Sequence, residues 1–277
     1  MKKFFYFFIA AVALILTCCT TEQSNSLTDS TPQEASVFLT DGPLCPRPNP
    51  LIQDKWHRYF SVNLDVIGIQ YFAKDSLGQD SVWKAANFQE TTVKVSALAN
   101  GDSILLTKLS LPANLKVHKI KFLLGKNSYV TLCDSTTKKL IIPSKADSSI
   151  VIPVRESPSS KRFAIMLDFD IVHSIVMINN NFYLVPVMRG FIMDECASIA
   201  GFVSPEKLAT KVFVVNGLDT LATVSDTIRH NFFKLSGFHD GQYTVQFMPL
   251  TDTKVTVTRT VTVKKRAVTD LGVVKVN

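Results

Sequence analysis

The chain has 277 residues, of which 46% are hydrophobic and 10% aromatic, and it carries a formal net charge of +7 with a pI near 9.1. That composition belongs to a folded globular protein rather than a disordered or fibrous one, and the length suits two domains. The lysines are scattered, as at Lys116, Lys119, Lys121 and Lys126, and the compact cluster Lys264-Lys265-Arg266 falls where a solvated hairpin turn is expected; this pattern predicts no nucleic-acid partner.

Lys2 and Lys3 precede an unbroken apolar run over residues 4–16. The run is shorter than the ~20 residues of a membrane-spanning helix, and with a basic front and small residues behind it reads as a secretory signal. Leu16-Thr17-Cys18-Cys19 resembles the lipobox of bacterial lipoproteins, in which a cysteine is lipid-modified and becomes the mature N-terminus. Cys19 is the expected acceptor because Cys18 supplies the smaller residue before the cut; Cys18 itself is the alternative, and an ordinary signal with two incidental cysteines is a third reading. Residues 1–19 are thus assigned to the leader. Thr20 after the acceptor resembles lipoproteins released to the outer membrane, on a face, periplasmic or cell-surface, that the sequence leaves open. Residues 20–35 are rich in Ser, Thr, Gln and Glu, bury too little to order themselves and predict a flexible tether.

From residue 36 onward the apolar runs are strand-length, rich in Val, Ile, Phe and Thr, and show no sustained helical period, so the expected class is all-β. Residues 36–43, 62–71, 103–110, 118–124, 129–133, 140–144 and 149–154 read as strands spaced as in a β-sandwich. Asp41-Gly42-Pro43 and Leu111-Pro112-Ala113-Asn114 supply turns between them. After Asp194-Glu195-Cys196 a smaller unit follows, with strands expected in 198–205, 211–215, 221–224, 255–263 and 271–276 and its signature in 232–245. Outside the leader, Cys45, Cys133 and Cys196 allow at most one disulfide. No Cys-x-x-Cys and no ligand spacing among His57, His118, His173, His230 and His239 points to zinc.

The richest stretch is 163–189. Phe163, Ile165, Leu167, Phe169 and Ile171 share one parity and predict a buried face, while Ala164, Met166, Asp168 and Asp170 share the other. Asp170 stands just before residues 171–176 and is placed to cap a single helical turn there by accepting from the amide of residue 172 or 173. Asn179-Asn180-Asn181 tolerates left-handed backbone angles, and residues 182–187 return as a strand in which Pro186 implies an edge or bulge. Asp168 and Asp170, with backbones roughly 6.6 Å apart, admit three readings. They are a glycosidase-like carboxylate pair, whose third acid is missing because His173 stands at that position. They are a calcium site, with Asp41 or Asp65 as a further oxygen donor. Or Asp170 is a cap and Asp168 bonds backbone amides. No Gly-x-Ser-x-Gly, His-Glu-x-x-His or phosphate-cradling glycine loop is present. Trp56, Tyr59, Phe60 and Trp83 either fill cores or present rings to a sugar or protein partner.

Residues 36–43, Leu111-Pro112-Ala113 with Ile120-Lys121-Phe122-Leu123-Leu124, residues 140–144, Leu167-Asp168-Phe169-Asp170, Ser174-Ile175-Val176 and residues 183–189 resemble the bacterial family called domain of unknown function 4382, over about 36–192. The chain departs from that pattern at Asn114, where a Gly is usual, and at 145–149, which lacks the usual glycines. The resemblance implies an exported lipoprotein. Residues 197–277, marked by Phe232-Phe233-Lys234-Leu235-Ser236-Gly237-Phe238 and Gly241-Gln242-Tyr243, are similar to the carboxypeptidase regulatory-like domain, a small transthyretin-like β-sandwich. Asn231 holds a position usually Gly, and the likeness implies a spacer or contact module without peptidase chemistry. The expected protein is therefore a non-enzymatic, lipid-anchored envelope protein binding a glycan, matrix protein or partner lipoprotein, with no required cofactor. A structural or pilus-like assembly subunit is the alternative, and a glycoside hydrolase the second.

Overall fold

The computed structural model describes residues 31–42, 59–75, 82–143, 148–155, 158, 160–216, 219–250 and 255–276. The leader, the lipobox cysteines, most of the tether, Cys45, Trp56 and His57 lie outside the described residues.

Alternation builds the first unit. In β10 (Arg162–Asp170) Ile165, Leu167 and Phe169 are fully buried on one face, as the parity of the sequence requires. β10 pairs in parallel with β1 (Gln33–Gly42), Val37 beside Ile165, and β1 pairs on its other side with antiparallel β5 (Ile104–Leu111). β13 (Met188–Ile192) runs antiparallel to β10 and completes a four-stranded sheet in the order β13-β10-β1-β5.

The facing sheet has nine strands organised on β2 (Tyr59–Asp75). β6 (Leu115–Leu124) and then β7 (Tyr129–Leu132) run antiparallel along one side of it. β3 (Val82–Ala85) and β4 (Thr91–Lys94) occupy the other side. β9 (Ser149–Pro153) flanks β6, and β8 (Thr137–Ile141) flanks β7. Beyond β8 lie β12 (Asn181–Leu184) and β11 (Ile175–Ile178). Leu39, Leu64, Ile120, Phe122, Ile165 and Phe169 are among the side chains that fill one core between the two sheets.

The second unit comprises β14 (Ala197–Ser204), β15 (Thr210–Asn216), β16 (Asp219–Val224), β17 (Phe232–Phe238), β18 (Gly241–Pro249), β19 (Val257–Val263) and β20 (Val268–Lys275). They form two sheets, β17-β14-β20 and β16-β15-β18-β19. Their own core includes Ile199, Val212, Val214, Phe233 and Phe247; the last two rings meet edge to face with centroids 5.4 Å apart. The all-β class and the sandwich architecture stand, the one described α-helix being α1 (Ile171–Ser174).

Four details differ from the sequence reading. Gln33, Glu34 and Ala35, read as the end of the tether, belong to β1, where Ala35 is fully buried in the core. β3 and β4 were not anticipated, because Trp83-Lys84-Ala85 and Thr91-Thr92 present no alternation against the core. Residues 175–176, read as part of the helical turn, are extended and open β11. The returning strand ends at Leu184, and Pro186 sits in the crossing from β12 in the nine-stranded sheet to β13 in the four-stranded one, a place where a missing amide hydrogen disturbs no ladder. Between β11 and β12, Asn179 and Asn180 have φ of 48° and 61°, making the two-residue hairpin turn that asparagines favour.

Candidate functional site

The face of β10 that carries Asp168 is not a solvent face. Phe38, Met166, Phe191 and Cys196 form a small apolar cluster on it. Gly237 of β17 lies so close that a Cβ there would stand 2.6 Å from Arg189 Nη1 and 3.0 Å from the Phe191 ring. With φ of +87° as well, the position suits glycine alone. The seam between the two units therefore passes over the acidic end of β10.

Asp168 lies directly across the ladder from Arg189. The Arg189 Nε donates to Asp168 Oδ2 at 2.7 Å, with Nη2 at 2.6 Å from the same oxygen. Nη2 also donates to the Ser236 carbonyl of the second unit at 2.7 Å, and the guanidinium lies over the Phe191 ring, 5.1 Å from its centroid. One arginine thus joins a carboxylate of the first unit to the backbone of the second, and the Asp168 side chain keeps only 17% exposure.

Asp170, two residues on, has a different environment. Its Oδ1 accepts from the His173 amide at 3.0 Å and so caps α1, while Oδ2 is 2.6 Å from His173 Nδ1. His173, which stands where a third acid would be wanted, is thus the partner of Asp170. Asp65 Oδ2 accepts from the Asn127 amide at 2.9 Å, and the side chain of Asp41 lies outside the described residues. Among the described residues no group of three or more His, Cys, Asp and Glu is placed to hold a metal ion.

Two further polar contacts hold the seam, and sequence patterning carried no signal for either. Asn100, buried and at φ 58°, turns the chain before β5. Its Nδ2 donates to the Val224 carbonyl at 2.9 Å, and its Oδ1 accepts from Thr223 Oγ1 at 2.8 Å and the Lys234 amide at 3.2 Å. Beside it Arg229 bonds Asp226 within its own unit at 2.7 Å and Asp102 across the seam at 3.1 Å. At the linker, the Glu195 side chain is only 3% exposed and is held by Lys265 Nζ and by Arg266 Nη2, the latter at 3.1 Å. The basic cluster does form a turn, with Arg266 at φ 62°, but two of its cations serve a buried carboxylate.

Burial pushes the Asp226 carboxyl up, but the hydrogen bonds from the Arg229 side chain and the Ile228 amide, with the Arg229 charge, outweigh it and hold the group below the usual carboxylate range. A depressed folded-state value stabilises the fold above the unfolded value, near 3.9, and the contribution is lost as pH falls through the lower folded value. The expected result is that Asp226→Asn flattens the acid limb of stability against pH, read from urea midpoints between pH 6 and 2; an acid limb identical to the parent's would contradict it.

Of the aromatics, Phe60 is 60% exposed with Lys94 Nζ 5.6 Å from its ring centroid. Trp83 packs on Phe72, centroids 5.3 Å apart. The side chain of Tyr59 lies outside the described residues.

The family model described as Domain of unknown function (DUF4382) matches residues 36–186. No curated protein matches the chain. Among solved structures, a shaft pilin from Lactobacillus rhamnosus GG is similar at 10% identity and TM-score 0.22, over 87% of this chain and 96% of that one. A fimbrial protein from Bacteroides ovatus is similar at 8% identity and TM-score 0.26, over 89% of this chain and 50% of that one. The major pilin subunit of Bacillus cereus gives 11% identity and TM-score 0.20, over 88% and 70%. Superpositions this slight carry no argument about role.

Proposed function

The chain belongs to the DUF4382 family, whose model covers residues 36–186, and on that premise we propose that it is a non-enzymatic, lipid-anchored envelope protein. In this reading the first sandwich engages a glycan, a matrix protein or a partner lipoprotein, and residues 197–277 act as a carboxypeptidase regulatory-like spacer or contact module. The single observation that carries the non-enzymatic reading is the use of the acid pair. Asp168 is held by Arg189 in the seam, and Asp170 by His173 at a helix cap. A glycosidase needs two carboxyl groups facing one bond, and these two face different partners. The same use of both carboxylates leaves calcium outside the proposal.

The anchor rests on residues 4–19, and its test is Cys19→Ser. The variant is expected to leave the membrane fraction for the soluble fraction of disrupted cells. A variant still fully membrane-bound would move the acceptor to Cys18, and one still bound when both cysteines are replaced would overturn the anchor. The binding reading is tested by screening glycan and matrix-protein arrays with calcium and with chelator, where a saturable interaction supports it.

A second reading, an assembly subunit, draws on β11. It ends its sheet in the described order and exposes Val176 and Ile178 by 41% and 52%, the kind of edge that another chain extends. Concentration-dependent oligomers in sedimentation would favour it, and a strict monomer would count against it.

A further inference from the structure

The outer face of β2, β3 and β6 concentrates positive charge that is not spent in ion pairs among the described residues. Ile69, Tyr71 and Ala73 of β2 and Val117, Ile120 and Phe122 of β6 point into the core. The register then places the alternate residues together on the opposite face: Gln70 beside Lys121, Phe72 beside Lys119, and Lys74 beside Lys116. On the far side of β2, Trp83 of β3 stands opposite Phe72. Lys74 and Lys119 lie over the Phe72 ring at 5.7 and 5.8 Å, and Lys121 lies over Trp83 at 4.4 Å. The two rings form a low platform that holds three ammonium groups through their π faces.

None of the ion pairs of the described residues uses Lys74, Lys116, Lys119 or Lys121. The cations of the seam, Arg189, Arg229, Lys265 and Arg266, are by contrast all committed to carboxylates. Alternate residues on one strand are about 6.6 Å apart and neighbouring strands about 4.8 Å, so along the row Lys116, Lys74, Lys119, Lys121 each backbone position stands within about a Debye length, about 8 Å at physiological salt, of the next. The four ammonium groups repel one another and act on a ligand as one field.

We propose that this face, with Lys74, Lys119 and Lys121 carried on Phe72 and Trp83 and Lys116 beside Lys74, binds an acidic polysaccharide. The proposal rests on the reading above that the protein is an envelope binder, and it names the ligand class and the surface. The chemistry distinguishes this partner from other polyanions. Single-stranded nucleic acid is gripped by bases stacking on open aromatic faces, whereas these rings lie beneath lysines. An anionic bilayer is entered by projecting apolar side chains, and here Phe72 and Trp83 are partly buried. Lysines without arginine supply point charges rather than bidentate forks, which suits carboxylates repeated along a flexible chain. Charge density and length, more than the identity of one sugar, then set affinity.

The test uses the full-length chain in detergent and fluorescently labelled polygalacturonate, followed by anisotropy at 50 and 200 mM salt. Saturable binding is expected, weakening at least 10-fold between the two salts and falling at least 10-fold in Lys119→Ala/Lys121→Ala. Lys139→Ala/Lys275→Ala removes the same charge from exposed positions elsewhere and is expected to change affinity less than 2-fold. Trp83→Ala, which leaves every charge in place, is expected to weaken binding about 3-fold. No binding, equal losses in the two double-lysine variants, or tighter binding to poly(dT) or to phosphatidylglycerol vesicles would overturn the proposal. The first of these with a saturable uncharged glycan or protein on the arrays would leave the envelope-binder reading standing; arrays without any interaction would remove both.

Discussion

Replacing Lys265 by alanine and Arg266 by asparagine together is expected to lower stability by about 3–5 kcal/mol, read from urea denaturation of the chain lacking residues 1–19. Asparagine is chosen at 266 because the backbone there has φ of 62°, which it tolerates better than alanine. The large effect follows from an asymmetry in burial. Glu195 keeps 3% of its side-chain exposure, whereas Lys265 keeps 45% and Arg266 54%. Removing the cations leaves an ionised carboxylate in the linker with its main compensation gone, and that penalty dominates. Removing the carboxylate leaves two cations that water already reaches. Glu195→Met, similar in volume, is therefore expected to cost less than about 1 kcal/mol. A double variant within about 0.5 kcal/mol of the parent, which is the scale of an ordinary surface change, would show that the linker carboxylate is not held by this turn.

The same turn marks where sequence reasoning stopped. Position and turn character of Lys264-Lys265-Arg266 follow from local composition, but the partner, Glu195, lies 70 residues earlier than Lys265 and joins it only when β14 pairs with β20. Alternation placed most strands because a buried face writes itself into every second residue, as in Phe163, Ile165, Leu167 and Phe169. It also held the clue to the seam: Ala164 and Met166 share the parity of Asp168, and an apolar Met on a nominally solvent face, 3% exposed, is what a covered sheet looks like. The Asp170 cap was legible because capping is local. The partner of Asp168 was not, since no local pattern specifies that β13 returns with Arg189 in register across from it. β3 carries Trp83 beside Phe72, and its importance emerges only from cross-strand register, which alternation along one strand does not contain.

Arg189→Ala is the second large expectation. The substitution strips Asp168 of two nitrogen contacts and the Ser236 carbonyl of one, at a place where Asp168 retains 17% exposure. The expected cost is about 3 kcal/mol, since hydrogen bonds to charged groups contribute about 1.5–3 kcal/mol and a carboxylate left without its partner adds its desolvation. Because the lost contacts tie one sandwich to the other, scanning calorimetry is expected to show the two units melting apart, the transition of the parent dividing into two. Asp168→Asn should reproduce most of the effect, and the double variant should fall short of the sum by at least about 1 kcal/mol, as residues in direct contact do. Asp170→Asn is the informative contrast. Its carboxylate caps one exposed turn, so the change is expected to cost about 1 kcal/mol or less and to leave the melting profile undivided. A shared metal or catalytic role for the two aspartates would instead make Asp168→Asn and Asp170→Asn behave alike, in ligand response or turnover, whatever their separate effects on stability. Equal consequences at 168 and 170, or an undivided and unshifted transition in Arg189→Ala, would return the acid pair to the list of candidate sites and remove it from the seam.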